Sequence, residues 1–118
     1  MKLYLDEIKK LIPHREPFLF VEECEILKPG LSGIGYRKFL LEEYFFKGHF
    51  PNMPIVPGVI LVEAMAQTAG IVVSKEYESY PNRSVLFMSL SKAKFRKPVL
   101  PSYEIKFHVK FVSRLKSV

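Results

Sequence analysis

Gly58-Val59-Ile60-Leu61-Val62-Glu63-Ala64-Met65-Ala66-Gln67-Thr68-Ala69-Gly70-Ile71-Val72-Val73 is the stretch on which the fold turns. Its apolar residues leave almost no polar face, and the run predicts a helix over about residues 58–77. A helix apolar all round has to be wrapped by other structure on every side. The apolar part, Val59 to Val73, is about 15 residues long and contains Glu63, Gln67 and Thr68, whereas a bilayer span needs roughly 20 mostly apolar residues. It reads as the central helix of a core.

The flanking segments supply what wraps it. Upstream, Pro51, Pro54 and Pro57 recur every third residue around Gly48-His49-Phe50, which predicts a shaped loop over Glu42–Pro57. Before that loop, Phe18–Leu27 reads as a strand, Pro29-Gly30 as a turn, and Gly33–Leu41 as the antiparallel return strand. A short helix over Leu3–Leu11, with Leu3, Ile8, Leu11 and Ile12 at helical spacings, is stopped by Pro13. Downstream, Pro81-Asn82 ends the central helix. Ser84–Phe95 and Tyr103–Phe111 read as further strands, joined through Lys97-Pro98 and Pro101; Ile105, Phe107, Val109 and Phe111 alternate, which turns His108 outward. The class is α+β, one domain over residues 1–118, with an antiparallel sheet curled round one helix.

Composition narrows the function classes. Hydrophobic residues make up 48% of the 118, enough to bury a core, so disorder is excluded. Eighteen Lys and Arg against 12 Asp and Glu give +6, which points to an acidic partner or a polyanionic ligand without naming one. The single cysteine, Cys24, excludes a disulfide framework and a cysteine-rich zinc site, and it reads as inert. No metal-ligand cluster, phosphate loop or nucleophile elbow is present in the sequence. The charged N-terminus does not look like a secretory signal, so the cytoplasm is the expected compartment.

Two residues stand out chemically. His49 sits in the proline-stiffened loop beside the buried helix, where catalytic groups are commonly carried. Glu63 is a carboxylate inside an apolar helix, so it has to be paired, neutral or functional. Burial is expected to raise its pKa and make it an acid, and pairing with a Lys or Arg is the structural alternative. Gln67, one turn later on the same face, is placed to orient Glu63 or a water. Gly58 starts the helix, where free amides and an electropositive end suit a carbonyl oxygen. His14, after Pro13, reads as a capping or hydrogen-bonding residue. A histidine, an isolated glutamate and a helix N-terminus together describe proton transfer on a polarised carbonyl compound.

The segments Leu11-Ile12-Pro13-His14-Arg15-Glu16-Pro17-Phe18-Leu19-Phe20-Val21, Phe46 to Val59, Val62-Glu63-Ala64-Met65-Ala66-Gln67, and Lys92 to Val99 resemble the FabZ-type (3R)-3-hydroxyacyl-[acyl-carrier-protein] dehydratases. The resemblance runs from about Leu11 to the end of the chain. It implies a hotdog fold and a homodimer, commonly as a trimer of dimers, with each site shared between two subunits. It implies that His49 and Glu63 are the catalytic pair and that Gly58 polarises the thioester carbonyl. Gln67, Phe50 and Val59 are the other expected substrate-binding residues. Glu at position 63, where the dehydratase-isomerase branch has Asp, implies plain dehydration. No cofactor or metal is implied, nor a nucleic acid or membrane span. The implied partner is an acidic acyl carrier protein, for which Lys92, Lys94, Arg96 and Lys97 form the densest basic cluster. The family continues with one or two strands past a segment like Phe111–Lys116, so the C-terminal strands are expected to be short or missing. A thioesterase on the same fold and a non-catalytic acyl- or carrier-binding module are the alternatives.

Overall fold

The computed structural model of the chain describes residues 1–78 and 97–111. Among these residues, four strands, β1 (Lys2–Leu3), β2 (Glu23–Lys28), β3 (Ser32–Lys38) and β4 (Glu104–Lys110), form one antiparallel sheet in the order β1-β2-β3-β4. Helix α1 (Leu5–Leu11) covers one end, and helix α2 (Gly58–Glu76) packs on the sheet. This is the arrangement that a hotdog fold implies, with the central helix within a residue of its expected bounds. The expected strand over Ser84–Phe95 and the basic residues Lys92, Lys94 and Arg96 lie outside the described residues.

The β2–β3 hairpin turns at Pro29-Gly30 as expected. The Leu31 amide donates to the Lys28 carbonyl at 2.9 Å. Pro29 presets the first central residue, and Gly30 takes the second at φ 70°, where a Cβ is disfavoured. On β3, Gly33 and Gly35 share the face beneath α2. A Cβ on Gly33 would lie 2.7 Å from Val72 Cγ2, and one on Gly35 would lie 3.0 Å from Thr68 Cγ2 and closer still to Thr68 Oγ1. The helix therefore rests on the strand's bare backbone. Along β4, Phe107 is buried, Ile105 and Val109 are half-buried, and His108 is exposed, as their alternation predicts.

Among the described residues the core has two centres. Leu3, Ile8, Leu11, Ile12, Leu19, Val21, Cys24 and Ile26 meet Ile71 and Val72 from the C-terminal half of α2. Phe20, Phe39, Phe46, Val56 and Phe107 meet Ile60, Leu61 and Ala64 from its N-terminal half. Burying a side chain such as Phe46 contributes roughly 2 kcal/mol, whereas a surface ion pair such as Lys9–Glu16 is worth about 0–1 kcal/mol. Packing therefore holds the loop before α2 in place.

Four expectations change. The upstream strand begins at Glu23, since Leu19, Phe20 and Val21 are buried one after another and cannot alternate faces. Leu3 belongs to β1, opposite Cys24, and α1 starts only at Leu5, where Glu7 Oε1 accepts the Tyr4 amide at 3.2 Å. Next, the described residues do not wrap α2 on every side. Its stripe of Ile60, Ala64, Gln67, Thr68 and Ile71 is buried, but Val62, Met65, Ala66 and Ala69 are half-buried and Val59 is 76% exposed. At 19 residues α2 is long and apolar enough to cross a membrane by length and composition, contrary to the reading of the shorter apolar run, but it lies against the sheet as a core helix.

Candidate active site

The loop carrying His49 is anchored at both ends. Arg37 of β3 donates to the Leu19 carbonyl at 3.0 Å and pairs with the Glu43 carboxylate. Glu43 in turn accepts the Leu40 amide at 2.7 Å, just ahead of a 3₁₀ turn over Tyr44–Lys47. Past the turn, Phe50 and Met53 exchange backbone hydrogen bonds at 3.0 Å, and the Ile55 amide donates to the His49 carbonyl at 2.9 Å. The prolines forbid both helix and ladder, so the segment closes on itself.

His49 Nδ1 lies 2.9 Å from the Ile55 carbonyl oxygen. A carbonyl only accepts, so Nδ1 carries the hydrogen, and in the neutral ring the lone pair is on Nε2. The ring stacks on Phe50 with centroids 4.2 Å apart. His49, Val56, Gly58, Leu61, Lys97 and Val99 line a cleft of about 310 Å³. Gly58 is the first residue of α2, where amides have no intrahelical acceptor. The His49 imidazole and the N-terminus of α2 thus line one cleft.

Glu63 does not join them within one chain. At about 100° per residue it stands roughly 200° around α2 from Leu61 and 140° from Gly58. Its carboxylate belongs to a second cluster, on the segment after α1. Gln67 Nε2 donates to Glu63 Oε2 at 3.0 Å and to the Phe18 carbonyl at 2.9 Å, while Gln67 Oε1 accepts the Phe20 amide at 2.8 Å. His14 Nε2 lies 3.5 Å from Glu63 Oε2.

The expected Glu63–Gln67 contact is therefore present, but the deep burial expected of Glu63 is not, since its side chain is 30% exposed. Its partners are an amide and a histidine, and no Lys or Arg pairs with it among the described residues. Sequence reasoning read His14 as a capping or hydrogen-bonding residue; it is the second that fits, with Glu63 as the polar group it faces. Arg15 does the capping instead, donating to the Lys9, Ile12 and His14 carbonyls at 2.9, 3.0 and 2.7 Å. The one available signal was a polar ring fixed by Pro13 next to an apolar strap. Phe50 and Val59 are exposed and lie outside the His49 cleft, whereas Lys97, expected in a separate basic patch, lies at its edge. Burial, and secondarily Glu25, pushes the Cys24 thiol up to about 12, which leaves no thiolate near neutral pH.

Gln67 is 1% exposed with both ends of its amide satisfied, so it fastens the Phe18–Val21 strap to α2. Gln67→Leu strands the Phe20 N–H and the Phe18 C=O, and we expect it to lower stability by about 1–3 kcal/mol, read as an earlier urea midpoint. An unchanged midpoint would mean that water replaces the amide at no cost.

A family model described as a FabA-like domain matches residues 12–117. The chain is 42% identical over 115 residues to the 3-hydroxyacyl-[acyl-carrier-protein] dehydratase FabZ of Bradyrhizobium sp. (strain ORS 278), covering 97% of this chain and 76% of that one. The protein of the same name from Clostridium botulinum (strain Okra / Type B1) is 41% identical over 120 residues, covering 100% and 82%. That of Rhizobium etli (strain CIAT 652) is 47% identical over 104 residues, covering 88% and 66%. With the family model spanning residues 12–117 and relatives more than 40% identical over nearly the whole chain, the chain belongs to the FabA-like domain family and, within it, to the FabZ-type dehydratases.

Proposed function

We infer that the protein is a hydro-lyase that converts (3R)-3-hydroxyacyl-[acyl-carrier-protein] into the trans-2-enoyl thioester, in type II fatty acid biosynthesis or a related acyl pathway. The observation that carries the reading is His49, with a basic Nε2, in one cleft with the N-terminus of α2. A thioester carbonyl that accepts the Gly58 amide acidifies its α-carbon. His49 Nε2 takes the α-proton, the C–H electrons become the C=C bond, and the β C–O bond breaks. Glu63 supplies the proton that turns the departing hydroxyl into water. Return of the proton from His49 to Glu63, directly or through solvent, resets the site.

Because Glu63 faces away from its own chain's cleft, we assign the Glu63 that serves each His49 to a second copy, in a homodimer. Exposed Phe50, Met53 and Val59 and the half-buried face of α2 support such a pairing, with Phe50 and Val59 meeting the acyl chain at the shared boundary. Residues 1–118 act as one hotdog unit, and the cytoplasm is the compartment that suits it.

Incubation with 3-hydroxyacyl and 2-enoyl thioesters tests the reaction. Reversible change in conjugated-enoyl absorbance is the expected result. Thiol release would identify a thioesterase instead, and binding without turnover would identify an acyl- or carrier-binding module.

The acyl carrier protein is the acidic partner that the basic sequence suits. Reversing Lys94 and Arg96 to Glu should raise KM for carrier-linked substrate more at low salt than at high salt, because exposed charges are screened within about 10 Å at 0.1 M. A small thioester should be turned over as before. Equal losses on both substrates would remove the docking role.

A further inference from the structure

The segment that ends α1 places a second histidine on the catalytic carboxylate, and nothing in the elimination as written uses it. Pro13 stops the helix and leaves Ile12 extended, at φ −128° and ψ 150°. Arg15 then ties three carbonyls of this corner together, the His14 carbonyl among them. The backbone at His14 is thereby held, and its ring lies along Glu63 with Nε2 3.5 Å from Oε2. Its other nitrogen, Nδ1, is buried and has no hydrogen-bond partner among the described residues.

That asymmetry decides the tautomer. A buried N–H without an acceptor is the rarer and costlier orphan, while a nitrogen lone pair without a donor is the milder one. The hydrogen of neutral His14 therefore sits on Nε2, facing Glu63. Oε2 then accepts from Gln67 Nε2 at 3.0 Å and faces the His14 Nε2 hydrogen, with the two heavy atoms 3.5 Å apart. Among the described residues Oε1 has no hydrogen bond. An oxygen that already accepts from Gln67 and faces the His14 N–H is a poor place for a proton, so a protonated Glu63 carries it on Oε1.

We propose that His14 is a positioning residue for the elimination: together with Gln67 it holds Glu63 by Oε2 and leaves Oε1 to present the proton to the departing hydroxyl, a role that rests on Glu63 being the acid. The 3.5 Å spacing is that of a site without substrate, where such contacts are commonly long. Gln67 alone fixes Oε2 from within α2, along the helix surface. His14 adds the second donor, so it limits rotation of the carboxyl about its last bond. Loss of that restraint lowers turnover without removing any group that touches the acyl chain.

Three measurements test this. His14→Phe keeps a planar ring and removes the donor. It should lower kcat roughly 10-fold, with KM for a small thioester within about twofold, since misplacing a catalytic group is costly even when the group remains. His14→Gln sets an amide nitrogen near the former Nε2 and should recover most of that loss. Third, in the ¹⁵N-labelled wild-type protein the His14 ring should be the Nε2–H tautomer and should shift in Glu63→Gln; this readout needs no activity and no His14 variant that folds. Full kcat in folded His14→Phe, no rescue by Gln, or an Nδ1–H ring blind to Glu63→Gln would each overturn the proposal. Full turnover in Glu63→Gln itself would remove the acid assignment and the proposal with it. A slow Glu63→Gln beside an unimpaired His14→Phe would remove the proposal alone.

Discussion

His49→Ala and Glu63→Gln should each lower turnover by roughly 10²-fold or more, the usual scale for losing a positioned base or acid. Both variants should fold. His49 is held in its loop through Nδ1 and the Ile55 carbonyl, and that loop retains its proline framework and the buried Phe46 and Val56. In Glu63→Gln, an amide replaces a carboxylate of the same shape, on a side chain that is partly exposed. The stronger form of the test mixes the two inactive chains. Within one chain the His49 cleft and the Glu63 cluster lie on different faces of α2, so a site that needs both draws them from two copies. Subunit exchange between the variants should build some sites with an intact pair and restore part of the activity. No recovery after verified exchange would place both groups within a single chain, through a rearrangement of α2 or its loop. Full turnover by folded Glu63→Gln would assign the acid elsewhere.

The largest effect on stability should come from a single methyl group far from any proton transfer. Gly35→Ala puts a Cβ into the Thr68 side chain, which is fully buried and donates from Oγ1 to the Ala64 carbonyl at 2.8 Å. Neither the backbone of β3 nor a helix anchored at both ends by the two core centres can yield cheaply. Overpacking of this kind costs about 3 kcal/mol, which in a domain of this size lowers Tm on the order of 10 °C. Thr68→Ala removes the two closest atoms, and the double variant should be more stable than the sum of the singles predicts. Gly48→Ala is the control: a Cβ there meets nothing within 4 Å, and φ is −107°, so its stability should hardly change. Equal behaviour of the two glycine variants would mean that α2 does not rest on bare backbone at β3.

The sequence by itself determined whatever depends on near neighbours along the chain. The apolar run from Gly58 predicted α2, Pro29-Gly30 predicted the hairpin turn, and the alternation of Ile105, Phe107 and Val109 predicted the buried face of β4. The i, i+4 spacing of Glu63 and Gln67 foretold their hydrogen bond, because one helical turn brings such residues side by side. What pairs distant residues stayed out of reach. Gln67 bonds Phe18 and Phe20 across 49 and 47 residues, and by taking their backbone groups it keeps that stretch out of the sheet until Glu23. Gly33 and Gly35 looked like ordinary strand residues until α2 was laid on them. His14 read as a capping or hydrogen-bonding residue with no partner named, because nothing local distinguishes a ring at a helix end from one facing a carboxylate. Periodicity records which face of an element is apolar, but only the closed fold decides what meets that face, since contacts between elements are set by the packing of the whole core.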